Sequence, residues 1–294
     1  MKFRVSALLI LTCCSTTTWA APVGAAAGVD VGARLSAIEA RTGGRLGLAA
    51  LDTGSGRRIG QRASERFAMC STFKWVLAAA VLSGVDRGEL SLGRPVAFTA
   101  ADLLDYAPVT RARVAEGSMT VSELCKAAIQ VSDNTAANLL LSLVGGPAGV
   151  TTFLRRVGDP TTRLDRDEPT VNTNLPGDPR DTTTPDAMVA TMKAILLGNA
   201  LSASARAQLV EWMLGTETGR DRLHSGLPPD WRQGDKTGTC EHGATNDIAI
   251  VWPPGRAPIL IAALLSESTH PLDERQAALA EVARVVAEAF SQSQ

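Results

Sequence analysis

Histidine is scarce in this sequence, and its distribution argues against two common kinds of active site. Three histidines occur among 294 residues, and their spacing does not match that of metal ligands. The sequence also lacks the G-x-S-x-G motif that surrounds the nucleophile in many Ser-His-Asp hydrolases. We therefore expect no metal site and no other cofactor, and a histidine-based triad has no support. The three residues are His224, His242 and His270.

The chain also lacks an excess of charge of either sign. Its 29 basic and 30 acidic residues leave a formal net charge of −1. Electrostatic binding to nucleic acid or to an anionic membrane surface requires a basic excess. Beyond the N-terminal segment, no stretch approaches the about 20 consecutive apolar residues of a membrane span. We expect no nucleic-acid partner, no stable membrane association and a monomeric protein.

The first 20 residues have the pattern of a cleavable signal peptide. Basic residues precede a short apolar run, and residues 18–20 form a suitable cleavage site. A lipoprotein signal ending at Cys13 or Cys14 is the alternative, but the residues before these cysteines do not suit it well. We predict that the mature protein, residues 21–294, is exported to the periplasm.

Lysine is scarce as well, which draws attention to the lysines that remain. The sequence has five lysines and 24 arginines. A buried lysine can lose its proton, whereas an arginine keeps its charge. Compositional bias explains the small number of lysines, but it does not explain their positions. Lys74 and Lys236 are therefore candidate sites where an amine is required.

The hydrophobic pattern predicts strands at both ends of the exported chain and helices in the middle. Turn residues at 52–56 separate two strand-like segments and predict a hairpin. Residues 73–82 form an apolar run too short to span a bilayer, which indicates a helix buried on all sides. Gly145-Gly146-Pro147 is expected to end a helix. Further strands are predicted at 234–240, 247–252 and 259–265, and further helices at 31–39, 121–131, 135–144, 203–214 and 274–290, with another starting at Thr184-Pro185.

This order predicts an α/β (α+β) fold, in which helices flank an antiparallel sheet and an all-helical lobe is inserted. We expect a single catalytic domain with an α/β lobe at 30–66 and 217–294 and a helical lobe at 67–216. Between residues 163 and 184, many Pro, Gly, Asp and Thr residues interrupt every regular pattern. A loop of this length inside a compact domain is usually functional.

Three short motifs carry side chains suited to nucleophilic catalysis. Residues three apart at a helix start share one side, so Lys74 can hydrogen-bond the hydroxyl of Ser71 and activate it. A glycine in the third motif lets a ligand approach the strand backbone. Taken singly, each motif has an ordinary structural explanation: a helix cap, a turn and an edge strand. The motifs are Ser71-Thr72-Phe73-Lys74, Ser132-Asp133-Asn134 and Lys236-Thr237-Gly238, the last followed by Thr239.

Together the motifs carry more weight than each one alone. They occur in this order, about 60 and about 100 residues apart, and the set is a known signature of serine β-lactamases and penicillin-binding proteins. The sequence resembles class A serine β-lactamases along essentially its whole mature length. Glu168-Pro169-Thr170-Val171-Asn172 in the irregular loop adds to the resemblance, as do Arg166 and Asp181, which resemble the family's ion pair across the neck of that loop.

The resemblance implies a role for each residue. Ser71 would attack the lactam carbonyl, and the backbone N–H groups of Ser71 and Thr239 would bind the oxyanion. Ser132 would pass a proton to the departing nitrogen, and Asn134 would hold Lys74 and the substrate's side-chain amide. The substrate carboxylate would be bound by Lys236, Thr237 and Thr239, supported by Arg222.

Glu168 distinguishes hydrolysis from permanent acylation. A carboxylate on a rigid loop, with Asn172 as a second ligand for water, supplies the base that completes turnover. The resemblance therefore implies a β-lactam hydrolase of the kind that confers antibiotic resistance. The alternatives are a penicillin-binding carboxypeptidase and a non-hydrolysing β-lactam sensor. Whether Lys74 or Glu168 takes the first proton stays open.

Cysteine positions indicate a subgroup of the family. Cys70 precedes the nucleophile and Cys240 follows Thr239, so these two thiols should form a disulfide in an oxidising compartment. That pairing resembles the class A enzymes that hydrolyse carbapenems, and we expect carbapenemase activity. Cys125 is expected to be a buried free thiol. Further residues that resemble the subgroup are Thr239, Arg222, Thr218 and Tyr106, the last as an aromatic gate for the cleft.

Overall fold

A five-stranded antiparallel sheet brings together segments from both ends of the chain. The computed structural model describes residues 30–291, so the predicted signal peptide lies outside the described residues. The strand order in this sheet is β2-β1-β9-β8-β7, which leaves β7 as an edge strand. The strands are β1 (Arg45–Asp52), β2 (Arg58–Gln61), β3 (Phe67–Ala68), β4 (Pro95–Ala97), β5 (Ser118–Thr120), β6 (Thr182–Thr183), β7 (Arg232–Cys240), β8 (Ala244–Trp252) and β9 (Ile259–Ser266).

The sheet is covered on both faces because alternate residues of its inner strands pack on opposite sides. In β1, Leu46 and Leu48 join one apolar core, whereas Ala49 and Leu51 join the other. The first core lies against the terminal helices, and the second lies against the helical middle of the chain. The helices are α1 (Val31–Thr42), α2 (Phe73–Asp86), α3 (Pro108–Ala112), α4 (Val121–Gln130), α5 (Asn134–Leu143), α6 (Gly146–Arg156), α7 (Pro185–Met192), α8 (Ala203–Leu214), α9 (Leu223–Gly226) and α10 (Leu272–Ser291).

Helix α2 is surrounded by protein, as its apolar sequence predicts. Eleven of its fourteen residues are buried, and Lys74 is among them. Helix α4 begins with the expected capping box, because the Thr120 hydroxyl accepts from the Glu123 N–H and the Glu123 carboxylate accepts from the Thr120 N–H. The predicted mixed fold, with an antiparallel sheet and flanking helices, is confirmed. The predicted lobe boundaries stay predictions.

One helix boundary was predicted incompletely. Gly145-Gly146-Pro147 ends α5 as expected, but the same residues also start α6, which the sequence analysis missed. Gly145 and Gly146 have φ values of 86° and 70°, and the chain bends by 71° between the two helices at this point. Pro147 then stands in the first turn of α6, where its missing N–H is harmless. Between residues 30 and 291 no single helix is long and apolar enough to span a membrane, and only the bent pair α5–α6 meets that test together.

The segment between residues 163 and 184 is irregular, as predicted, apart from two short elements. A single 3-10 turn covers Thr170–Asn172, and the two-residue strand β6 pairs with β3. This segment connects α6 to α7 within the helical middle of the chain. It carries Glu168 and Asn172 to the side of the sheet where β7 ends.

Candidate active site

Ser71 lies in a tight turn between α2 and the edge of the sheet. A 3-10 turn, Cys70–Thr72, precedes α2, and Cys70 has a φ of 48°. The side chain of Asn246 on β8 donates to the carbonyls of Ala68 and Met69, at 2.8 and 3.1 Å, and so anchors the segment before the turn. The hydroxyl of Ser71 therefore stands near the N-terminus of α2, where developing negative charge is stabilised.

Gly238 allows β7 to contact this turn. A Cβ at Gly238 would lie 2.7 Å from the Met69 carbonyl oxygen and 3.2 Å from the Ser71 nitrogen. The missing Cβ thus makes room for the backbone of the nucleophile turn; Gly238 also lines the cleft, so the expectation that a ligand approaches the strand backbone here stays a prediction. Cys70 and Cys240 form the implied disulfide, with Cα atoms 5.6 Å apart, and it fastens the turn to the end of β7. Cys125 is a buried free thiol, and burial raises its pKa.

Lys74 is fully enclosed, and its ammonium is surrounded by oxygen atoms. Its Nζ donates to the Ser132 carbonyl at 2.8 Å and to Asn134 Oδ1 at 2.5 Å. The same nitrogen lies 2.9 Å from Glu168 Oε1. Burial lowers the pKa of the Lys74 amine, and the negative charge of Glu168 partly opposes this shift.

The side chains of Lys74 and Ser71 do not form the predicted hydrogen bond with each other. Ser71 precedes the first regular residue of α2, so the pair does not have regular helical geometry. The Ser71 hydroxyl instead donates to Glu168 Oε1 at 3.3 Å, the oxygen that also pairs with Lys74. Glu168 is thus the link between the hydroxyl and the amine.

The Glu168 carboxylate is held on both of its oxygens and is buried. Asn172 donates to Oε2 at 2.5 Å, which leaves its own Oδ1 buried without a hydrogen-bond partner. Asn138 on α5 holds the backbone of Glu168 from both sides, at 3.0 Å to the N–H and 2.8 Å to the carbonyl. The sequence analysis missed Asn138, although it lies one helical turn after Asn134 and so on the same face of α5.

The ion pair expected across the neck of the loop is also formed. Arg166 Nε donates to Asp181 Oδ2 at 2.5 Å, and the Asp181 side chain is almost fully buried. The other carboxylate oxygen of Asp181 accepts from the backbone N–H groups of Asp165 and Arg166, at 2.7 and 2.9 Å. These bonds join the first and last parts of the loop.

The opposite side of the cleft is built on β7 and carries two basic side chains, those of Lys236 and Arg222. Lys236 is fully buried and donates to Ser132 Oγ at 3.0 Å. Burial lowers its pKa well below the usual range, and the nearby Lys74 ammonium adds to this effect. Arg222 donates to Thr239 Oγ1 at 2.6 Å, and the hydroxyls of Thr218 and Thr237 are 2.6 Å apart.

Two buried carboxyl groups behind β7 were not predicted. Asp235 directly precedes Lys236, and Asp247 lies on β8 beside it. Burial raises the pKa of Asp235 to about 7, and burial together with Asp235 raises that of Asp247 well above its usual range. The charges of Lys236 and Arg222 oppose both shifts. The sequence did offer one signal for Asp235, namely its position directly before Lys236 of the third motif.

The predicted site residues meet around one cleft of about 410 Å³. Lys74, Glu168 and Lys236 lie beneath it, in contact with its lining. Tyr106 stands at the rim with half of its surface exposed, and its carbonyl accepts from the Asn134 N–H. Within residues 30–291, no three His, Cys, Asp or Glu side chains are arranged to hold a metal ion. The lining consists of Ser71, Tyr106, Ser132, Asn134, Asn172, Thr218, Arg222, Thr237, Gly238, Thr239 and Leu272.

A larger hollow of about 580 Å³ lies elsewhere on the surface and contains none of the predicted site residues. It is bordered by Arg58, Pro160 and Asp186. The nucleophile, the amines and the loop carboxylate all belong to the smaller cleft. The chemistry therefore identifies the smaller cleft as the candidate active site.

Comparisons with known proteins agree with this geometry. Residues 30–290 match the family described as the Beta-lactamase enzyme family. The chain is 46% identical to Beta-lactamase CTX-M-8 of Citrobacter amalonaticus, over 99% of this chain and 100% of that protein. It is 48% identical to Beta-lactamase L2 of Stenotrophomonas maltophilia, over 94% and 91%.

Solved structures give the same result. An ancestral class A β-lactamase, GNCA, superposes with a TM-score of 0.87 at 58% identity, covering 89% of this chain and 100% of that one. A β-lactamase from Xanthomonas campestris pv. campestris has a TM-score of 0.87 at 54% identity, covering 88% and 97%.

Proposed function

This chain belongs to the β-lactamase enzyme family and is a class A serine β-lactamase, and on that premise we propose which of its residues carry each step of β-lactam hydrolysis. One observation carries the proposal: the buried Glu168 carboxylate contacts the Ser71 hydroxyl, the Lys74 ammonium and the Asn172 amide together. A base in this position can serve a nucleophile before acylation and a water molecule after it.

In the first step, Ser71 Oγ forms a bond to the lactam carbonyl carbon. The hydroxyl proton passes to the Glu168–Lys74 pair, since Glu168 accepts from Ser71 and Lys74 is within 2.9 Å of the same oxygen. The backbone N–H groups of Ser71 and Thr239 bind the resulting oxyanion. Burial lowers the pKa of the Lys74 amine from its usual value, which makes the amine a better proton carrier.

The carbon–nitrogen bond of the ring then breaks, and Ser132 delivers a proton to the nitrogen. Its hydroxyl lies between the two buried amines, 3.4 Å from Lys74 Nζ and 3.0 Å from Lys236 Nζ. This placement gives Ser132 a route for replacing the proton it donates. Lys236 thus takes part in both proton delivery and substrate binding.

The substrate carboxylate docks against β7 at the positive end of the cleft. Lys236 supplies charge there, and the hydroxyls of Thr237 and Thr239 supply donors. Arg222 fixes Thr239, and Thr218 fixes Thr237. Asn134 and Asn172 lie towards the other end and receive the acylamino side chain of the substrate, with Tyr106 above them at the rim.

In the last step, water hydrolyses the ester on Ser71. Glu168 removes a proton from the water, whose oxygen bonds to the acyl carbon, and Ser71 recovers its proton as the ring-opened acid leaves. The buried, unpartnered Oδ1 of Asn172 is the second group that can orient this water. This step distinguishes a hydrolase from a penicillin-binding carboxypeptidase or a non-hydrolysing sensor.

The distinction is tested by counting product molecules per enzyme molecule. Purified protein mixed with a large excess of a penicillin should release ring-opened acid continuously, many equivalents per active site. Release of a single equivalent, followed by a stable acylated protein, would instead identify a penicillin target or a sensor. A Ser71→Ala variant provides the blank for both outcomes.

We extend the proposal to carbapenems. The disulfide beside the nucleophile and the contact from Arg222 to the Thr239 hydroxyl support it, together with Thr218 and Tyr106. Steady-state kinetics on one carbapenem should show complete turnover. Formation of a long-lived acyl-enzyme with that carbapenem, while penicillins turn over, would restrict the spectrum to the other classes. We also propose that the enzyme acts as a periplasmic monomer without stable membrane association.

A further inference from the structure

The loop that carries Glu168 is bonded to the chain segment that follows the disulfide. The carbonyl of Asn172 accepts from the N–H of Glu241 at 3.0 Å. The side-chain amide of Asn174 donates to the carbonyl of Glu241 at 2.9 Å and to the hydroxyl of Ser266 at 3.1 Å. Both backbone polar groups of Glu241 are therefore bonded to the loop, one of them through the side chain of Asn174.

The backbone at Asn174 suits asparagine. Its φ of 41° lies in the left-handed region, which asparagine tolerates better than most residues with a Cβ. The same residue supplies the donor that reaches across to the sheet side. Asn174 does not line the cleft, so neither function involves direct contact with the substrate.

Hydrogen bonds hold the loop at Asn174, because no apolar packing fills the space behind this residue. A cavity of about 300 Å³ lies there and is bordered by Phe67, Asn174 and Glu267. Leu175, the next residue, is 48% exposed and adds little buried apolar surface. The Asn174 amide therefore contributes a large share of the attachment at this point.

The bonds complete a closed path between the nucleophile and the base. Ser71 is joined through Cys70 to Cys240 by the disulfide, and Cys240 is followed by Glu241. Glu241 is bonded to the loop at residues 172 and 174, four and six residues after Glu168. A displacement of Glu168 by an ångström would lower the rate strongly, because catalysis depends on near-contact geometry.

We propose that Asn174 is a positioning residue: by fastening the loop to Glu241, it fixes Glu168 for deacylation and keeps the loop closed over the end of the cleft that receives the acylamino side chain. This inference rests on the proposed role of Glu168. The positive end of the cleft is occupied by the substrate carboxylate, so the acylamino group points towards Asn134 and Asn172. Loosening the bond between the loop and Glu241 should therefore slow deacylation and admit larger acyl groups.

Two variants test the inference. Asn174→Gly removes the amide and keeps a residue suited to positive φ, and Asn174→Asp keeps the side-chain shape but replaces the donor with an acceptor. Leu175→Ala is the matched control, because it alters the adjacent exposed residue and leaves the bonds of Asn174 in place. Each protein is assayed with a penicillin of small acyl group and with a cephalosporin of bulky acyl group.

Both Asn174 variants should deacylate more slowly, by up to about a hundredfold, so that intact-mass measurements during turnover show acylated protein. The ratio of kcat/KM for the bulky substrate to that for the small one should rise severalfold. Leu175→Ala should match the wild type in both readouts. Wild-type deacylation and an unchanged ratio in both Asn174 variants would overturn the inference, whatever their melting temperatures.

Glu168→Gln separates this inference from its premise. If Glu168→Gln accumulates acyl-enzyme and the Asn174 variants do not, the role of Asn174 is wrong and that of Glu168 stands. If Glu168→Gln turns over penicillin at the wild-type rate, the premise and the inference fall together.

Discussion

The two ends of the cleft are built in different ways. The end proposed to bind the substrate carboxylate lies on β7, whose residues from Arg232 to Cys240 pair continuously with β8. The end proposed to carry out hydrolysis lies on an irregular loop, where Glu168 and Asn172 have no strand partner. Side chains take over the task of holding this backbone: Asn138 clamps Glu168, and Arg166 pairs with Asp181.

The difference shows where each end is vulnerable. A strand ladder shares its stability over many backbone hydrogen bonds, so the loss of one side chain on β7 leaves the strand in place. The loop depends on a few side-chain contacts, and the loss of one of them moves the base. Single substitutions in the loop should therefore lower activity by displacing Glu168. Single substitutions on β7 should instead lower activity by changing the charge at that end of the cleft.

The largest effect on stability is expected at the neck of the loop. Asp181→Asn keeps the side-chain shape and a residue suited to its φ of 57°, but it leaves Arg166 with only the longer contact to Asp178, at 3.9 Å. Breaking a buried ion pair costs about 3–5 kcal/mol of unfolding free energy. Urea unfolding should show this loss, and penicillin turnover should fall with it. Glu89→Gln, which breaks an exposed pair with Arg87, should leave both quantities unchanged.

The disulfide, which joins the nucleophile turn to the sheet end, should give the next largest effect. Cys70→Ser opens a link between residues 170 positions apart. The expected loss of stability is about 2–4 kcal/mol, measured by thermal or denaturant unfolding. A thiol count on unreduced, unfolded protein starting at residue 21 should find only Cys125, and a count of three would remove the bridge from the account.

The smallest effect, when it is counted per pH unit, concerns the buried carboxyl groups of the sheet end. Asp235 has a pKa raised to about 7 by burial, so the folded protein holds a proton that the unfolded chain releases near pH 4. This contribution to stability is present at low pH and is lost as pH rises from about 4 to about 7, by at most about 1.4 kcal/mol per pH unit. Asp235→Asn should flatten that decline, whereas the exposed Asp230→Asn should not. An unchanged slope in Asp235→Asn would contradict the buried-acid assignment.

Sequence predicted the sheet end better than the loop end. The alternation of apolar residues located the strands, and the lysine and threonines of β7 follow from the strand on which they lie. For the loop, the sequence predicted irregularity, Glu168 and the Arg166–Asp181 pair. It did not predict Asn138, because an asparagine within a helix carries no local signal for a partner 30 residues away.

Ser71 shows the same limit of sequence-based prediction, although Ser71 and Lys74 are only three residues apart. The spacing of Ser71 and Lys74 predicted that they share one side, and both do face the cleft region. It did not predict that Ser71 precedes the regular helix, or that Glu168 takes the position between hydroxyl and amine. Nor did the sequence reveal that the backbone of the nucleophile turn fills the space left by the missing Cβ of Gly238. Contacts between distant segments decide both points.

The central claim is that Glu168 completes turnover, and the acylation state of Ser71 in Glu168→Gln tests it most directly. The glutamine keeps the contact with Asn172 but is a very poor base. Protein quenched during reaction with a penicillin should carry a persistent adduct on Ser71, and product release should fall about 10²- to 10⁴-fold. Unmodified Ser71 with release at the wild-type rate would contradict the account.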